Sequence, residues 1–362
     1  MRCEKCGNRI KELFFKRGKD LVCRNCLVYK THDEIYRYIK GKGTYYLDYE
    51  LTSKQKEAAN FILNEVKNKR SCILNAVTGA GKTEIIYPLI KYCIDNDLRV
   101  GIAIPRKDVV MELFSRIKRD FKDASVASVY GGCNKSLYAD IVIATTHQLY
   151  RYEKYFDVVI IDEVDAFPFY NNSLLNHFLK RSIKGSIVYM SATISKNLIK
   201  TGLNIYYLNR RYHNEKLDVP SVKYYWSNYF VRKKITKYKS GILIVYFPTI
   251  KLQLEFAKTL KINHCIINSK TPNRKQLLEE LHNKEHAVIL STLVMERGIT
   301  FKNTNVIVVN ADHCLFGWEN LVQISGRVGR HSLYAHGDIT FFVNWKSKQV
   351  KQTINFIKKC NE

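Results

Sequence analysis

Ala76-Val77-Thr78-Gly79-Ala80-Gly81-Lys82-Thr83-Glu84 follows the apolar run Cys72-Ile73-Leu74-Asn75 and precedes a helix-forming run over residues 84–94. Strand, glycine-bearing loop, Lys-Thr, helix is the order of a phosphate-binding loop. The glycines let successive backbone N–H groups turn inward around an anion. The new helix adds the positive end of its dipole. On this reading Thr78, Gly79, Ala80, Gly81, Lys82 and Thr83 hold a nucleotide's phosphates. Lys82 reaches the outer phosphates, and the Thr83 hydroxyl ligates Mg²⁺. The first loop position is Ala76, where the bare pattern has glycine.

A second stretch supplies what such a loop needs. Val158-Val159-Ile160-Ile161 runs into Asp162-Glu163-Val164-Asp165. A buried strand with two carboxylates at its tip suits nucleotide hydrolysis: Asp162 holds Mg²⁺ through water and Glu163 polarises the attacking water. Met190-Ser191-Ala192-Thr193 ends another strand and offers small hydroxyls that can bridge to the acidic turn.

Working outward, residues 71–205 alternate short apolar strands (72–76, 100–104, 125–129, 141–144, 158–161, 187–190) with helical stretches at 107–121 and 174–180. Such alternation predicts a mostly parallel sheet covered by helices, with ligands gathered at the carboxyl ends of the strands. Residues 206–240 break the pattern and are rich in basic and aromatic side chains, among them Arg210, Arg211, Lys223, Tyr225 and Trp226. They read either as a crossing that faces nucleic acid or as an edge of the next lobe. From residue 241 the alternation resumes, with strands at 242–247, 264–268, 287–290, 305–309 and 339–343. Helices are expected at 250–260, at 273–283 and from 346 onward. Within this half, Gln323-Ile324-Ser325-Gly326-Arg327-Val328-Gly329-Arg330 puts two arginines three apart on one helical face, suited to a γ-phosphate. The fold class is therefore α/β, with two tandem parallel-sheet lobes. Residues 1–50 form a small cysteine module and basic linker, 51–205 the first lobe and 206–362 the second.

The front module rests on Cys3-x-x-Cys6 and Cys23-x-x-Cys26, 16 residues apart. Two such turns complete a tetrahedral thiolate shell, and zinc is the metal that suits it. Between them, residues 11–19 form a hairpin turning at Gly18-Lys19-Asp20. The metal carries the folding of so short a segment. Its role is open between a purely structural ribbon and one that touches DNA or a protein. Beyond it, Tyr36, Tyr38, Tyr45 and Tyr46 flank Lys40-Gly41-Lys42-Gly43. They serve either to stack bases or to pack on the next domain.

The chain has 59 Lys and Arg against 33 Asp and Glu, a net charge of +26, which favours a polyanionic partner such as nucleic acid. Interleaved Tyr and Phe suit base stacking. No apolar run approaches the roughly 18 residues of a membrane span, and the N-terminus carries no apolar signal segment. A cytosolic protein is expected, and the remaining cysteines, Cys72, Cys93, Cys133, Cys265, Cys314 and Cys360, read as scattered, mostly buried thiols.

As a set, these motifs resemble superfamily 2 helicases and translocases. The set comprises Gln55, the loop at 76–83, Ile104-Pro105-Arg106, Gly131-Gly132, Ala144-Thr145-Thr146-His147, Asp162 to Asp165, Ser191-Ala192-Thr193, Arg297-Gly298 and Gln323 to Arg330. Helicases of this superfamily often carry Ala at the first loop position. With the front cysteines, the turn Asp162-Glu163-Val164-Asp165-Ala166-Phe167-Pro168 and the run Met295-Glu296-Arg297-Gly298-Ile299-Thr300-Phe301, the chain is most similar to the ComFA family of competence ATPases. Replication-restart helicases are cousins, but their cysteines lie between the lobes. The resemblance implies RecA-like lobes and ATP with Mg²⁺. It implies adenine recognition by Gln55 and a γ-phosphate contact by Gln323, Arg327 and Arg330. It further implies backbone-dominated contacts to single-stranded DNA at Pro105, Arg106, Gly131, Gly132, Thr145, Thr146, Thr249 and Thr292. It also implies partners ComFC and DprA and work at the inner face of the membrane. Two rivals remain, an RNA helicase and a zinc-bearing scaffold that binds nucleic acid without turnover.

Overall fold

The structure, a computed structural model, describes residues 2–27, 40–132, 137–165, 169, 172–293 and 301–362. Tyr36, Tyr38, Cys133, the 166–168 part of the acidic turn and the Arg297-Gly298 turn lie outside the described residues.

The elements run β1 (Phe14–Arg17), β2 (Asp20–Cys23), α1 (Ser53–Lys67), β3 (Cys72–Ala76), α2 (Lys82–Ile85), α3 (Tyr87–Asp95), β4 (Val100–Ile104), α4 (Lys107–Asp120), β5 (Val126–Val129), β6 (Ile141–Thr145), β7 (Phe156–Asp162), α5 (Ser173–Ser182), β8 (Ile183–Ser191), α6 (Lys196–Ile199) and β9 (Asn204–Leu208). They continue with β10 (Ser221–Tyr224), α7 (Asn228–Ile235), β11 (Gly241–Tyr246), α8 (Ile250–Thr259), β12 (Cys265–Ile267), α9 (Arg274–His282), β13 (His286–Ser291), β14 (Thr304–Val308), α10 (Trp318–Ser325), β15 (Ile339–Val343) and α11 (Lys348–Cys360).

Seven strands form one sheet, in the order β5-β6-β4-β7-β8-β3-β9, and six form a second, β10-β15-β14-β11-β13-β12. All their pairings are parallel. β4, β6, β11 and β15 are buried at every residue. This is why they read as near-continuous apolar runs rather than alternating ones. The helices bury one stripe each: Val110, Leu113 and Ile117 of α4 lie inside at three- and four-residue spacing. α1 starts at a capping box in which Thr52 is the N-cap and Gln55 returns the bond.

Contacts divide the chain into two compact units. One is Met1–Ala76 with Lys82–Leu208, and the other is Val77–Gly81 with Asn209–Glu362. β9 runs through the expected boundary at residue 205 and pairs with β3 up to Leu208. The stretch 206–240, which showed no pattern, holds the end of β9, β10 and α7. These short, half-exposed elements lack the long apolar run that marks a central strand. The expected helix over 84–94 is two helices, α2 and α3, with Pro88 in the first turn of α3, where its missing N–H costs nothing.

Residues 40–50 pack along the first unit. The Gly41 N–H donates to Asp140 Oδ2 at 3.0 Å and the Gly43 N–H to Asp95 Oδ1 at 3.2 Å. The Tyr45 ring lies 5.5 Å from Tyr87 and 5.3 Å from Phe121. Of the two readings of this linker, packing describes Tyr45, whereas Tyr46 is 66% exposed.

Asp140 is a buried hub, accepting from Gly41 N–H, from Ser125 N–H at 2.8 Å and from Ser125 Oγ at 2.7 Å. Asp140→Ala should lower the stability of the first unit by about 2–4 kcal/mol, because three donors lose a charged acceptor. Urea unfolding followed by circular dichroism checks this, and an unchanged midpoint refutes it.

Candidate active site and metal centre

The two halves of the candidate nucleotide site stand at carboxyl ends of one sheet. The phosphate loop follows β3 and the acidic turn follows β7, with β8 between them. Two strand spacings separate them, about 10 Å. Ala76 is fully buried at the end of β3. Its φ is negative, so the first loop position tolerates a Cβ. Left-handed backbone is needed only at Gly79 (φ 82°) and Gly81 (φ 78°), where glycine is present. Lys82 Nζ donates to the Ala76 carbonyl at 2.9 Å, so the ammonium sits inside the curl of the loop.

Asp162 ends β7 and accepts the Glu163 N–H on its Oδ1 at 3.0 Å. Glu163 has φ 57°, rare for a side chain of this kind and of the sort held at functional turns. Asp165, for which no separate role is expected from the motif, fixes the turn. Ser191 Oγ donates to its Oδ1 at 2.5 Å, and Thr193 Oγ1 donates to its Oδ2. The hydroxyls expected to bridge from the end of β8 thus reach the last acid of the turn, tying the two strand ends together. Gln55 is 3% exposed, and its Oε1 accepts the Thr52 N–H at 2.9 Å, which orients the carboxamide.

The expected DNA contacts also fall at strand ends. Pro105 and Arg106 follow β4, Gly131 and Gly132 follow β5, and Thr145 and Thr146 close β6 in the first sheet. Thr249 and Thr292 follow β11 and β13 in the second. The side chains of Thr145, Thr146 and Thr292 are buried, and Thr249 caps α8 by accepting from the Leu252 N–H. Gly131 and Gly132 are exposed and open to solvent.

In the second unit, Gln323 lies on α10, 6% exposed. α10 ends at Ser325, so Arg327 and Arg330 occupy the turn beyond it rather than one helical face as expected. Gly326 is the C-cap of α10, and farther on Gly329 takes a left-handed φ of 69°, where a Cβ would lie 2.2 Å from the Ala335 carbonyl. Arg330 Nε donates back to the Gly326 carbonyl at 2.9 Å.

Arg211 was hidden among the basic residues of 206–240. It is 3% exposed, its Nη1 donates to the Gly329 carbonyl, and its Nε reaches the Thr78 carbonyl of the loop segment Val77–Gly81 at 3.3 Å. Nη2 has no partner. Burial pulls the guanidinium down to about 10, still charged at neutral pH. Tyr212 and His213 flank it, bonding the Arg330 and Gly329 carbonyls at 3.1 Å and 3.0 Å. No local signal separates Arg211 from its basic neighbours, because its burial comes from a partner over 100 residues away.

At the front of the chain, Cys3, Cys6, Cys23 and Cys26 bring their sulfurs within 4.8 Å of one another. Cys3–Cys26 is 3.6 Å and Cys6–Cys23 is 3.7 Å. A tetrahedral zinc with Zn–S bonds of about 2.3 Å sets its sulfurs about 3.8 Å apart, so the donor set fits. The hairpin is β1 and β2, turning at Gly18-Lys19. Burial first, then the adjacent sulfurs, raise the Cys26 thiol far above its usual range. Cys6, Cys23 and Cys26 join one apolar cluster with Phe156, Leu175 and Phe178. Asn8 and Asn25 amides point at Cys23 and Cys6 sulfurs at 3.5 Å and 3.9 Å. Of the other described cysteines, Cys72, Cys93 and Cys360 are buried, Cys265 half-buried and Cys314 exposed. Burial pushes Cys72 and Cys93 up to about 12, leaving them protonated.

With this geometry in hand, comparison with known proteins is informative. The chain is 32% identical to "Competence protein ComFA" of Bacillus subtilis (strain 168), covering 100% of this chain and 86% of that one. It belongs to the ComFA family. The Streptococcus pneumoniae ComFA is also 32% identical, over 99% of this chain and 90% of its own. A family model described as "Type III restriction enzyme, res subunit" matches residues 48–196, and "Helicase conserved C-terminal domain" matches 228–332. Among solved structures, the DEAD-box helicase Mss116 bound to ssRNA and UDP-BeF superposes with TM-score 0.64 at 19% identity, covering 85% of this chain and 77% of its own. S. cerevisiae Dbp5 bound to RNA and ADP BeF3 gives 0.61 at 14%, covering 86% and 91%. At such identities these neighbours establish the fold alone, two RecA-like lobes, which the four-cysteine module precedes in the chain. The chain therefore carries the two domains of a helicase-type ATPase. Among the described residues no helix is long and apolar enough to cross a membrane.

The sulfur geometry predicts one zinc per chain in metal analysis of the purified protein. Cys3→Ser with Cys6→Ser should lose it; a double variant that keeps a full equivalent rules out this ligand set.

Proposed function

We propose that this protein is an ATP-driven motor on single-stranded DNA that powers uptake of transforming DNA in natural competence. The observation that carries the motor reading is the pairing of a lysine-bearing phosphate loop and an Asp-Glu turn at carboxyl ends of one parallel sheet, flanking β8. Competence is proposed because the two relatives matched over nearly the full chain are competence proteins.

On this reading the loop over Gly79–Thr83 cradles the phosphates by backbone N–H groups, and Lys82 exchanges the Ala76 carbonyl for a phosphate oxygen. Gln55, its carboxamide held by Thr52, meets the adenine edge. Thr83 and Asp162 would hold Mg²⁺, which supplies charge neutralisation at the phosphates. Glu163 orients and polarises water. Arg327 and Arg330, with Gln323 beside them, stabilise charge on the transferring phosphoryl group. Arg211 adds buried positive charge that an anion offsets. The lobes alternate their grip on the strand as nucleotide binds and leaves, through the strand-end residues from Pro105 to Thr292 named above. Contacts of that kind are sequence-tolerant and weaken with salt. The partners proposed are ComFC and DprA, at the inner face of the membrane.

ATP turnover should rise with single-stranded DNA and respond less to duplex DNA or RNA, a comparison one steady-state panel makes. Equal stimulation by RNA would favour the RNA-helicase reading, and no stimulation by any nucleic acid would defeat the motor reading. Lys82→Ala should abolish turnover. Glu163→Gln should bind ATP normally yet hydrolyse it about 10²–10⁴-fold more slowly. Arg330→Ala should lower kcat far more than it alters KM, since its contact matters most in the transition state.

A further inference from the structure

All three tryptophans of the chain stand at one edge of the second sheet. Trp226 follows β10, Trp345 follows β15, and Trp318 opens α10 after β14; these three strands are neighbours. Tyr225 ties the strand ends together. Its N–H donates to the Val343 carbonyl at 3.1 Å, and its hydroxyl donates to Asn310 Oδ1. Trp226 is 84% exposed and Trp345 62%, unusual for side chains that normally seek burial.

Between the ends of β14 and β15 opens a cleft of about 600 Å³ with Phe316, Trp318 and Trp345 as apolar walls and Asp312, His313 and Gln349 among its polar ones. Trp318 is braced from behind by Phe356 of α11, ring centroids 5.4 Å apart. Asp312, 5% exposed, accepts the Asn344 and Trp345 N–H groups on Oδ2 at 3.0 Å and 3.2 Å, which fixes the backbone under Trp345. Its Oδ1 is buried and has no hydrogen-bond partner. Lys346, Lys348 and Lys351 follow Trp345 and are exposed.

The occupant these features select is planar, apolar on its faces, polar on its edge and joined to an anionic chain. An unstacked nucleobase has all four properties, whereas a base inside a duplex hides its faces. We infer that this cleft takes a base of single-stranded DNA, stacked on Trp345 with Trp226 alongside, while Lys346, Lys348 and Lys351 neutralise the flanking phosphates. The inference rests on the single-strand reading proposed above and extends it. The strand contacts expected at Thr249 and Thr292 lie beyond β11 and β13, and β14, β15 and β10 carry the same carboxyl edge onward. Stacking on aromatic faces beside a basic groove tolerates any sequence.

Trp318 and Trp345 line the cleft and Trp226 follows the neighbouring strand end, so intrinsic fluorescence of the whole protein reports on this edge. Titration with oligo(dT) should quench it, and an abasic deoxyribose-phosphate oligomer of equal length should quench little and bind more weakly. Trp345→Ala should weaken oligo(dT) binding about tenfold, and Trp345→Tyr should restore most of the loss. Equal binding and quenching by the abasic oligomer, or an unchanged Kd in Trp345→Ala, overturns the cleft. The two readings separate cleanly. A protein whose ATP turnover responds to DNA but whose Trp345→Ala variant binds normally refutes only the cleft, whereas absence of any response to oligo(dT) refutes both.

Discussion

In a parallel sheet covered on both faces, a strand interior admits a polar side chain only where a partner satisfies it, as Ser221 and Asp338 do for Thr340 of β15. β4, β6, β11 and β15 are buried at every position, and an unpaired polar group there would cost on the order of 1–3 kcal/mol. Groups that must meet a ligand therefore belong at the strand ends, and in parallel sheets all carboxyl ends share one edge. The phosphate loop after β3, the acids after β7 and the hydroxyls after β8 obey this constraint. So do the proposed strand contacts and the tryptophan cleft of the second sheet.

The same constraint explains why the acidic turn is rigid. Asp165 follows β7 and Ser191 and Thr193 lie at the end of its neighbour β8, so each bond between Asp165 and the two hydroxyls closes the gap between strand ends. A carboxylate held by two hydroxyls cannot wander, so Glu163 keeps its left-handed backbone and Asp162 its bond to the next N–H. Arg211 plays the corresponding part in the second unit. Its guanidinium, together with His213 and Tyr212, fixes the carbonyls of the Gly329-Arg330 turn. Pre-ordering of this kind lowers the cost of assembling charge at a phosphate.

The cysteine module shows how a segment too small for its own core becomes ordered. Two turns gather four sulfurs, and three of those cysteines then merge with the apolar cluster around Phe156, Leu175 and Phe178. His177 of α5 meets the module directly, its Nε2 lying 3.3 Å from the Glu4 carbonyl. The first lobe thus supplies the burial that about 25 residues cannot provide alone.

The sequence by itself determined whatever local chemistry or periodicity encodes. The buried strands showed as apolar runs, with β3, β4 and β15 at their observed bounds. The phosphate loop showed as glycines before Lys-Thr, and the cysteine set showed as two matched pairs. Tertiary structure alone decided the rest. β9, β10 and α7 were illegible because short, half-exposed elements carry no long pattern. The turn at Arg327 and Arg330 departed from a helix because α10 stops at Ser325, capped by Gly326, and a left-handed Gly329 keeps the helix from resuming before Arg330. Burial of Arg211 and the gathering of three tryptophans from residues 226, 318 and 345 depend on strands far apart in the chain meeting at one edge, and no local pattern records which distant strand lies alongside.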